Sequence, residues 1–274
     1  RHGGRTTTPC VRTAALAGWH PPSLRTAHAR GILTPKLSYQ RPENGEQVTA
    51  VKPENLKALE GGLKTELLDK RLRLNFTAFY YWYTDQQVST LIKSGGRTLP
   101  ILQNAASARN KGIEISAEAV PVRHLTITAA ITAMHSRFDK FPDATISEPL
   151  PGGGNTDVLG NASGFKTPHS PDFTSSVGAQ YEFETAIGNW TAAANYNYNG
   201  GFVWDADNRL KQTAYHLVNA SLAWAPPSGR YQVRLWAKNL LDQKYSIYTT
   251  ANIVGDEETP APPRTFGVTI GLHL

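Results

Sequence analysis

The fold is indicated most clearly by the stretch Arg264-Thr-Phe-Gly-Val-Thr-Ile-Gly-Leu-His-Leu274. Phe266, Val268, Ile270, Leu272 and Leu274 alternate in it with small or polar residues. Because successive side chains on a β-strand point to opposite faces, one face of this strand is wholly apolar. Its length also suits a tilted membrane-spanning strand. A soluble strand can show the same pattern, so the prediction depends on its recurrence.

The same alternation recurs upstream through most of the chain. The clearest repeats lie at 72–82, 113–119, 125–133, 177–183, 190–198, 218–224 and 231–237, with weaker strands around 37–39 and 58–68. The sequence therefore predicts an all-β protein with about nine or ten antiparallel strands, each joined to its sequence neighbour. On the last strand we expect Phe266, Val268, Ile270 and Leu272 to face lipid, and Thr269, Gly271 and His273 to face the lumen.

The connections between these strands alternate in length. Short turns are predicted at 69–71, 121–124, 185–189 and 225–230, and mostly longer connections at 93–97, 139–171, 199–212 and 241–263. An up-and-down transmembrane β-barrel sorts its loops in this way, with short periplasmic turns and longer extracellular loops. A soluble β-sandwich, the alternative fold, has no reason to sort loop length by end.

Composition agrees with a barrel and excludes several other classes. Hydrophobic residues make up 40% of the 274 residues and no run of 18 apolar residues occurs, so the sequence encodes no transmembrane helix. A transmembrane β-barrel can have such a composition because its lipid-facing apolar residues alternate with polar lumen-facing residues. The single cysteine, Cys10, excludes an intramolecular disulfide framework, and the eight histidines show no metal-ligand spacing. We expect no cofactor and no metal.

The first 33 residues differ from the rest and are expected to be disordered or foreign to the domain at 34–274. Residues 1–31 hold five arginines and no acidic residue, so the remaining chain carries 23 Lys and Arg against 22 Asp and Glu. The net charge of +6 therefore belongs to this head, and it does not indicate nucleic-acid binding. The head also lacks the apolar core of a signal peptide.

Four sequence motifs, in order, resemble elements of the TonB-dependent outer-membrane receptors. They are Val51-Lys-Pro-Glu54 with Glu60-Gly-Gly-Leu-Lys64, Asn104-Ala-Ala-Ser-Ala-Arg109 with Gly112-Ile-Glu114, Asn239-Leu-Leu-Asp242 with Tyr245, and Pro263-Arg-Thr-Phe-Gly-Val268. Each motif alone is weak evidence for this resemblance, whereas four motifs in the family's order and spacing are strong evidence. The resemblance covers roughly residues 34–274.

The resemblance implies a barrel of 22 strands with an N-terminal plug in its lumen. Such receptors lie in the outer membrane of Gram-negative bacteria, bind scarce solutes such as ferric siderophores, and draw energy through a periplasmic protein that touches the plug. This chain shows no plug, no partner-binding box and about half of the barrel. One strand between Tyr39 and Val51 looks missing, and Leu274 stands where the family usually has an aromatic residue. We expect a C-terminal barrel fragment with an open sheet.

Candidate binding residues lie in the long loops, since loops on a rigid scaffold are where binding residues concentrate. They are Trp204, Asp205, Asp207, Asn208, Arg209, His169, Tyr245 and Tyr248. Other aromatic residues are expected to anchor the barrel at the membrane interface. These are Tyr80, Trp82, Trp190, Tyr198 and Trp224.

Two other functions share parts of this pattern. A passive outer-membrane porin has the same alternation, but it would not explain the motifs at 239–242 and 263–264. A hydrolase would need a Ser/His pair at the rim or a carboxylate pair, and Glu114 and Glu118 are better explained as wall residues that face a wet lumen. We therefore expect a non-enzymatic receptor for a ferric siderophore, whose partners are the bilayer, the extracellular ligand and the periplasmic energy-coupling protein.

Overall fold

The computed structural model of this chain describes residues 23–27, 51–94 and 97–272, with side chains at 51–89 and 101–272. The predicted strand at Leu37 and Tyr39, and the orientations of His273 and Leu274, lie outside the described residues. The described residues contain no helical segment that could span a bilayer.

Ten strands form one antiparallel sheet in which each strand pairs with its neighbours in chain order. Six strands make the first part: β1 Ser23–Ala27, β2 Asn55–Leu67, β3 Leu72–Ser94, β4 Arg97–Ala119, β5 Leu125–Lys140 and, after a short hairpin, β8 Phe173–Thr185. Four strands make the second part: β9 Gly188–Asn199, β12 Tyr215–Ala225, β13 Tyr231–Lys238 and β16 Thr265–Leu272. This architecture confirms the predicted all-β, up-and-down arrangement. Among the described residues, β1 and β16 each pair on one side, so the barrel is not closed.

One face of the sheet is apolar across nine strands. A single row of directly paired residues runs through Phe266, Ala237, Ala220, Ala194, Ala179, Ile127, Ala119, Leu72 and Leu67. The large residues on this face are exposed, with Phe266 at 68% and Leu272 at 74%. The predicted apolar face of the last strand is therefore confirmed. An exposed apolar band of this extent requires a partner, and lipid is the partner that a barrel wall has.

The opposite face is polar in the adjacent row. That row runs through Asn219, Asn195, Gly178, Thr128, Glu118, Arg73 and Glu66. The charged members pair with each other: Arg73 lies 3.1 Å from Glu66 and 3.5 Å from Glu118. Glu118 thus belongs to an ion-pair ladder on the lumen face, as expected for a wall residue.

The long connections contain three further hairpins that the sequence reading treated as irregular loop. They are β6 Ala144–Pro149 with β7 Asn155–Gly160, β10 Phe202–Val203 with β11 Lys211–Gln212, and β14 Ser246–Asn252 with β15 Gly255–Pro260. These hairpins lie within or at the ends of the long connections predicted at 139–171, 199–212 and 241–263, and their strands were not predicted. Short hairpins flanked by Gly, Pro and acidic residues lack the long alternation on which the prediction relied.

The buried core lies at the loop end of the sheet, where residues of β4 and β5 pack against the long connection that follows β5. Its members are Ala106, Ala108, Phe138, Phe141, Ala144 and Ala162. Phe138 and Phe141 make an edge-on ring contact with centroids 5.1 Å apart, and Ala144 and Ala162 are fully buried. A barrel wall buries one face in lipid, so a protein-only core can form only where the chain folds over its own rim.

Part of the N-terminal head is placed in the sheet. Ser23–Ala27 forms strand β1, and its five residues pair in register with residues 58–62 of β2. The structure therefore assigns these five residues to the barrel wall. The other residues of the head lie outside the described part of the chain.

Candidate ligand-binding site

Three long connections lie at one end of the sheet, and we call them loop segments one (141–172), two (200–214) and three (239–264). Among the described residues, the opposite end carries only the short turns between β2 and β3, β4 and β5, β8 and β9, and β12 and β13. Each loop segment contacts the other two. The amide of His169 donates to the carbonyl of Val203 at 2.9 Å, and the amide of Ser246 donates to the Gln212 side chain at 3.0 Å. Between segments one and three, Asn155 donates to the carbonyl of Asn252 at 2.9 Å.

The predicted residues of loop segment two serve these contacts. The Asn208 side chain accepts a hydrogen bond from the amide of Lys166 at 2.8 Å and donates to the Lys166 carbonyl at 2.9 Å. Asp207 accepts from the amide of Ser147 at 3.2 Å and from the amide of Arg209 at 3.0 Å. These side chains bridge loop segments one and two, so their polar atoms are largely used inside the protein.

The aromatic candidates form one cluster and one separate pair. The rings of His169 and Trp204 meet edge-on with centroids 5.2 Å apart, and Trp204 lies 6.4 Å from Tyr248. Trp204 is only 6% exposed, whereas Tyr248 is 55% exposed. Tyr245 lies apart from them and stacks on Tyr215 at 4.5 Å. Trp204 therefore acts as the packing centre of the loops, and the two tyrosines remain open to a ligand.

Arg209 joins all three loop segments. Its guanidinium makes two hydrogen bonds to the Asp256 carboxylate, at 2.7 and 2.8 Å, and a longer one of 3.4 Å to the Asn155 side-chain oxygen. The hydrogen bond to Arg209 holds the pKa of the Asp256 carboxyl below its usual range, and the same bond raises the pKa of Arg209. A planar guanidinium matches a carboxylate in this two-point geometry, which is stronger than a single contact.

Asp205 has the opposite electrostatic environment. Burial raises the pKa of its carboxyl, and the neighbouring Asp207 carboxylate adds to that rise. Arg209 and His169 lower the pKa again, but the net direction is upward. The surroundings of Asp205 therefore disfavour its ionised form, in contrast to those of Asp256.

A cavity of about 950 Å³ opens between loop segments two and three. Its wall carries Lys211, Gln212, Thr213, Asp242, Lys244, Tyr245, Ser246, Thr249, Asp256, Glu257 and Glu258, among other residues. Most of the lining residues are polar and both charge signs occur among them, whereas the exposed surface of the lining is more apolar than polar. A cavity of this size and chemistry can hold a large polar ligand.

Sequence reasoning found Tyr245 in this cavity but missed most of its wall. Gln212, Ser246, Glu257 and Glu258 lie in the hairpins that it treated as loop, and Asn155 and Asp256 lie there also. The only available signal was the turn cluster of glycines before Asn155. Within the described residues, no group of three or more His, Cys, Asp or Glu side chains is arranged to hold a metal ion.

The aromatic residues predicted at the membrane interface all lie on the apolar face. Tyr80 and Trp82 contact each other with ring centroids 4.3 Å apart, and Trp190 lies 6.3 Å from Trp224. Trp190 and Trp224 sit beside the short turns, whereas Tyr198 lies one residue before the end of β9 at loop segment two. These positions fit two aromatic girdles, and their role as anchors stays a prediction.

Comparisons with known proteins agree with this architecture. A family model described as TonB dependent receptor-like, beta-barrel, matches residues 14–240. No curated protein matches the sequence. Among solved structures, the chain is similar to the ferric yersiniabactin uptake receptor from Yersinia pestis, with 21% identity, a TM-score of 0.67, and coverage of 85% of this chain and 32% of that one.

Two other solved receptors show the same likeness. The ferric-catecholate import receptor from E. coli K12 has 20% identity and a TM-score of 0.62, with coverage of 92% of this chain and 32% of that one. The ferripyoverdine receptor of Pseudomonas aeruginosa has 15% identity and a TM-score of 0.56, with coverage of 81% and 27%. The chain thus spans about a third of the length of the receptors it resembles. With most of its length matched by the family model, the chain belongs to the TonB-dependent receptor β-barrel family, whose members are non-enzymatic transporters of the outer membrane of Gram-negative bacteria.

Proposed function

We propose that the receptor containing this barrel region imports a scarce extracellular solute, a ferric siderophore, by energised transport. The observation that carries the proposal is the cavity of about 950 Å³ between loop segments two and three, at the end of the sheet where all three long segments meet. The printed names of the similar receptors support iron as the cargo, since they describe ferric yersiniabactin uptake, ferric-catecholate import and a ferripyoverdine receptor.

The chemistry of the cavity wall suits such a ligand. A ferric siderophore is a large complex with flat groups and hydrogen-bonding oxygens. Lys211 and Lys244 offer two cations to those oxygens, and Tyr245 offers a ring at the wall. We therefore propose Lys211, Lys244 and Tyr245 as ligand contacts, with Tyr248 beside the cavity. The other residues predicted from sequence, namely Trp204, Asp205, Asp207, Asn208, Arg209 and His169, would act by fixing the loops.

The energy source belongs to the complete receptor. In this proposal a periplasmic coupling protein acts on a plug domain inside the lumen, and the barrel region described here supplies the wall and the outer loops. The polar row through Glu66, Arg73 and Glu118 is the surface that such a plug would meet. Transport is therefore expected from the complete receptor and not from this region in isolation.

The test measures uptake of ferric siderophores by cells that express the complete receptor, with and without the proton gradient. We expect uptake that collapses when the gradient is removed. Uptake that ignores the gradient would support a passive porin instead. Gradient-dependent uptake of a different solute would retain the transport class and reject iron as the cargo.

A matched pair of variants tests the cavity itself. Lys244→Ala removes a cation from the cavity wall, whereas Lys70→Ala removes one from the short turn at the opposite end. Loss of one charged hydrogen bond costs about 1.5 kcal/mol, so we expect Lys244→Ala to weaken binding about tenfold. Lys70→Ala should leave binding unchanged. Equal effects of the two variants would argue against this cavity.

A further inference from the structure

Arg209, Asp256 and Asn155 come from three different loop segments and meet at one point. The Arg209 side chain is 24% exposed and that of Asp256 is 42% exposed, so the ion pair is partly shielded from water. Asp256 also lines the cavity between loop segments two and three. The same carboxylate therefore belongs to the wall of the cavity and to the contact that fixes loop segment three.

Asn155 completes the contact on both of its sides. It is 6% exposed, and its amide group donates to the Asn252 carbonyl at 2.9 Å and to the Asp256 carboxylate at 3.1 Å. Its oxygen accepts from Arg209. One buried side chain thus ties the β6–β7 hairpin to both ends of the β14–β15 turn and to loop segment two.

The hairpin tips approach each other closely beside this contact. Gly154 has a backbone φ of +80°, and a side-chain carbon at this position would lie 2.3 Å from the carbonyl oxygen of Ile253. Only glycine fits here, because any side chain would collide with backbone. The two hairpins can therefore approach each other this closely only because residue 154 is glycine.

One hydrogen-bond donor in this contact lacks a partner within the described part of the chain. The Nε–H of Arg209 is buried and has no hydrogen-bond partner among the described residues, since Asp256 takes both Nη groups. A buried donor without a partner is costly, so it offsets part of what the two-point ion pair contributes. The net stability of the contact is moderate, which suits a reversible closure better than a permanent cross-link.

We propose that Arg209, Asp256 and Asn155 form a latch that holds the three loop segments together and keeps segments two and three closed around the cavity. Release of the latch frees the β14–β15 hairpin, which carries Ser246, Asp256, Glu257 and Glu258 of the cavity wall, and so widens the entrance. The three residues are positioning residues, because they set the shape of the entrance through the hairpins. This inference concerns the loops alone and does not depend on the identity of the transported solute.

Hydrogen–deuterium exchange of this chain, folded in detergent micelles, tests the latch directly. Asp256→Asn keeps the shape of the side chain and removes its charge. We expect amide exchange at 144–160 and 246–260 to become at least fivefold faster, while exchange in the sheet strands β8, β9 and β12 stays unchanged. Unchanged exchange in the two hairpins would overturn the proposal.

A control and a double variant separate the latch from a general loss of charge. Asp157 is a carboxylate of the β6–β7 hairpin, which also carries Asn155, and it accepts a hydrogen bond of 2.6 Å from the Ser147 hydroxyl across that hairpin. Asp157→Asn should leave exchange at 246–260 as in the unmodified chain. The double variant Arg209→Gln with Asp256→Asn should exchange no faster than either single variant. Additive effects, or an equal effect of Asp157→Asn, would refute a latch at Arg209 and Asp256.

The salt dependence of exchange in the unmodified chain is a second test, and it does not depend on whether a variant folds. Since Asp256 is partly exposed, salt should screen its attraction to Arg209. Raising the salt concentration from about 0.05 M to 1 M should accelerate exchange in the same two hairpins. Exchange that is insensitive to salt there would count against an ion-pair latch.

Discussion

Asp242 accepts a hydrogen bond from the backbone amide of Arg264 at 2.9 Å, so two of the motifs that carried the family resemblance hold each other. The guanidinium group of Arg264 donates a hydrogen bond of 3.3 Å to the carbonyl of Leu240. Asn239 completes the junction: its side chain accepts from the amide of Gln243 and donates to the Gln243 carbonyl, both at 2.9 Å. The motifs therefore clamp the base of loop segment three, where β13 ends and β16 begins.

The clamp predicts an order of stability losses. Asn239 is 6% exposed, so Asn239→Ala leaves partly buried backbone groups of Gln243 without partners and should cost about 1–3 kcal/mol in the free energy of unfolding. Asp242 is exposed, and Asp242→Ala should cost about 1 kcal/mol or less. Urea unfolding in micelles, followed by tryptophan fluorescence, measures both. A larger loss for Asp242→Ala would contradict the clamp.

The two faces of β16 predict different outcomes for the same substitution. Val268 pairs with Leu235 on the apolar face, whereas Thr269 pairs with Arg234 on the polar face. An arginine on the lipid side near the membrane midplane costs about 2–4 kcal/mol. Val268→Arg should therefore impair membrane assembly far more than Thr269→Arg, as read from heat-modifiability on a gel. Equal effects would argue against a lipid-facing wall.

The turn between β2 and β3 contains removable strain. Leu68, Asp69 and Lys70 all have positive φ, at 53°, 52° and 67°. Leu68 is 71% exposed, so its side chain contributes little packing, and a left-handed backbone costs a non-glycine residue about 1–2 kcal/mol. Leu68→Gly should raise the free energy of unfolding by about 0.5–1 kcal/mol after the entropy of glycine is counted. The control Leu67→Gly, within β2, should lower it.

The raised pKa of Asp205 and the lowered pKa of Asp256 predict opposite changes of stability with pH. The pKa of Asp205 is raised, so its contribution to stability is present in full below its ordinary pKa of 3.8 and is lost as the pH rises through the folded-state value. Asp205→Asn should remove this loss, so its stability relative to the unmodified chain should increase from pH 3 to pH 7. Stability curves that stay parallel over this range would contradict the burial of a charge at Asp205.

For Asp256 the folded-state pKa is lowered, so its stabilising contribution is present above pH 3.8 and is lost as the pH falls through the folded-state value. The protection factors of amides in the β6–β7 and β14–β15 hairpins, which correct for the slower intrinsic exchange in acid, should therefore fall as the pH falls. The variant Asp256→Asn should lack this acid-dependent component. An equal acid response in that variant would assign the effect to other carboxylates.

The sheet could be predicted from sequence because its rule is simple and repeated. A period of two over seven or more residues, as from Leu72 onward, requires only that one face meets lipid and the other does not. Every such stretch became a strand of the main sheet, in chain order. Strand ends were less predictable: β3 continues to Ser94, well beyond the alternation that was recognised up to Trp82.

The loops could be predicted only in position. Trp204 and Asn208 were chosen for their chemistry as exposed ligand contacts, but Trp204 is buried and Asn208 is bonded to the backbone of Lys166. These roles depend on which loops meet in space, and chain positions more than 40 residues apart give no local signal of that. Gln212 and Asp256 were missed for the same reason.

The placement of the buried core beside the rim has a consequence for how such a protein can diversify. Phe138, Phe141 and Ala162 stabilise the outer end without help from the bilayer, whereas the wall depends on the bilayer and on the ladder between strands. Substitutions in the β14–β15 hairpin can therefore alter the surface offered to a new solute without disturbing insertion into the membrane. Selection can act on the two ends of one chain almost independently, under different physical constraints.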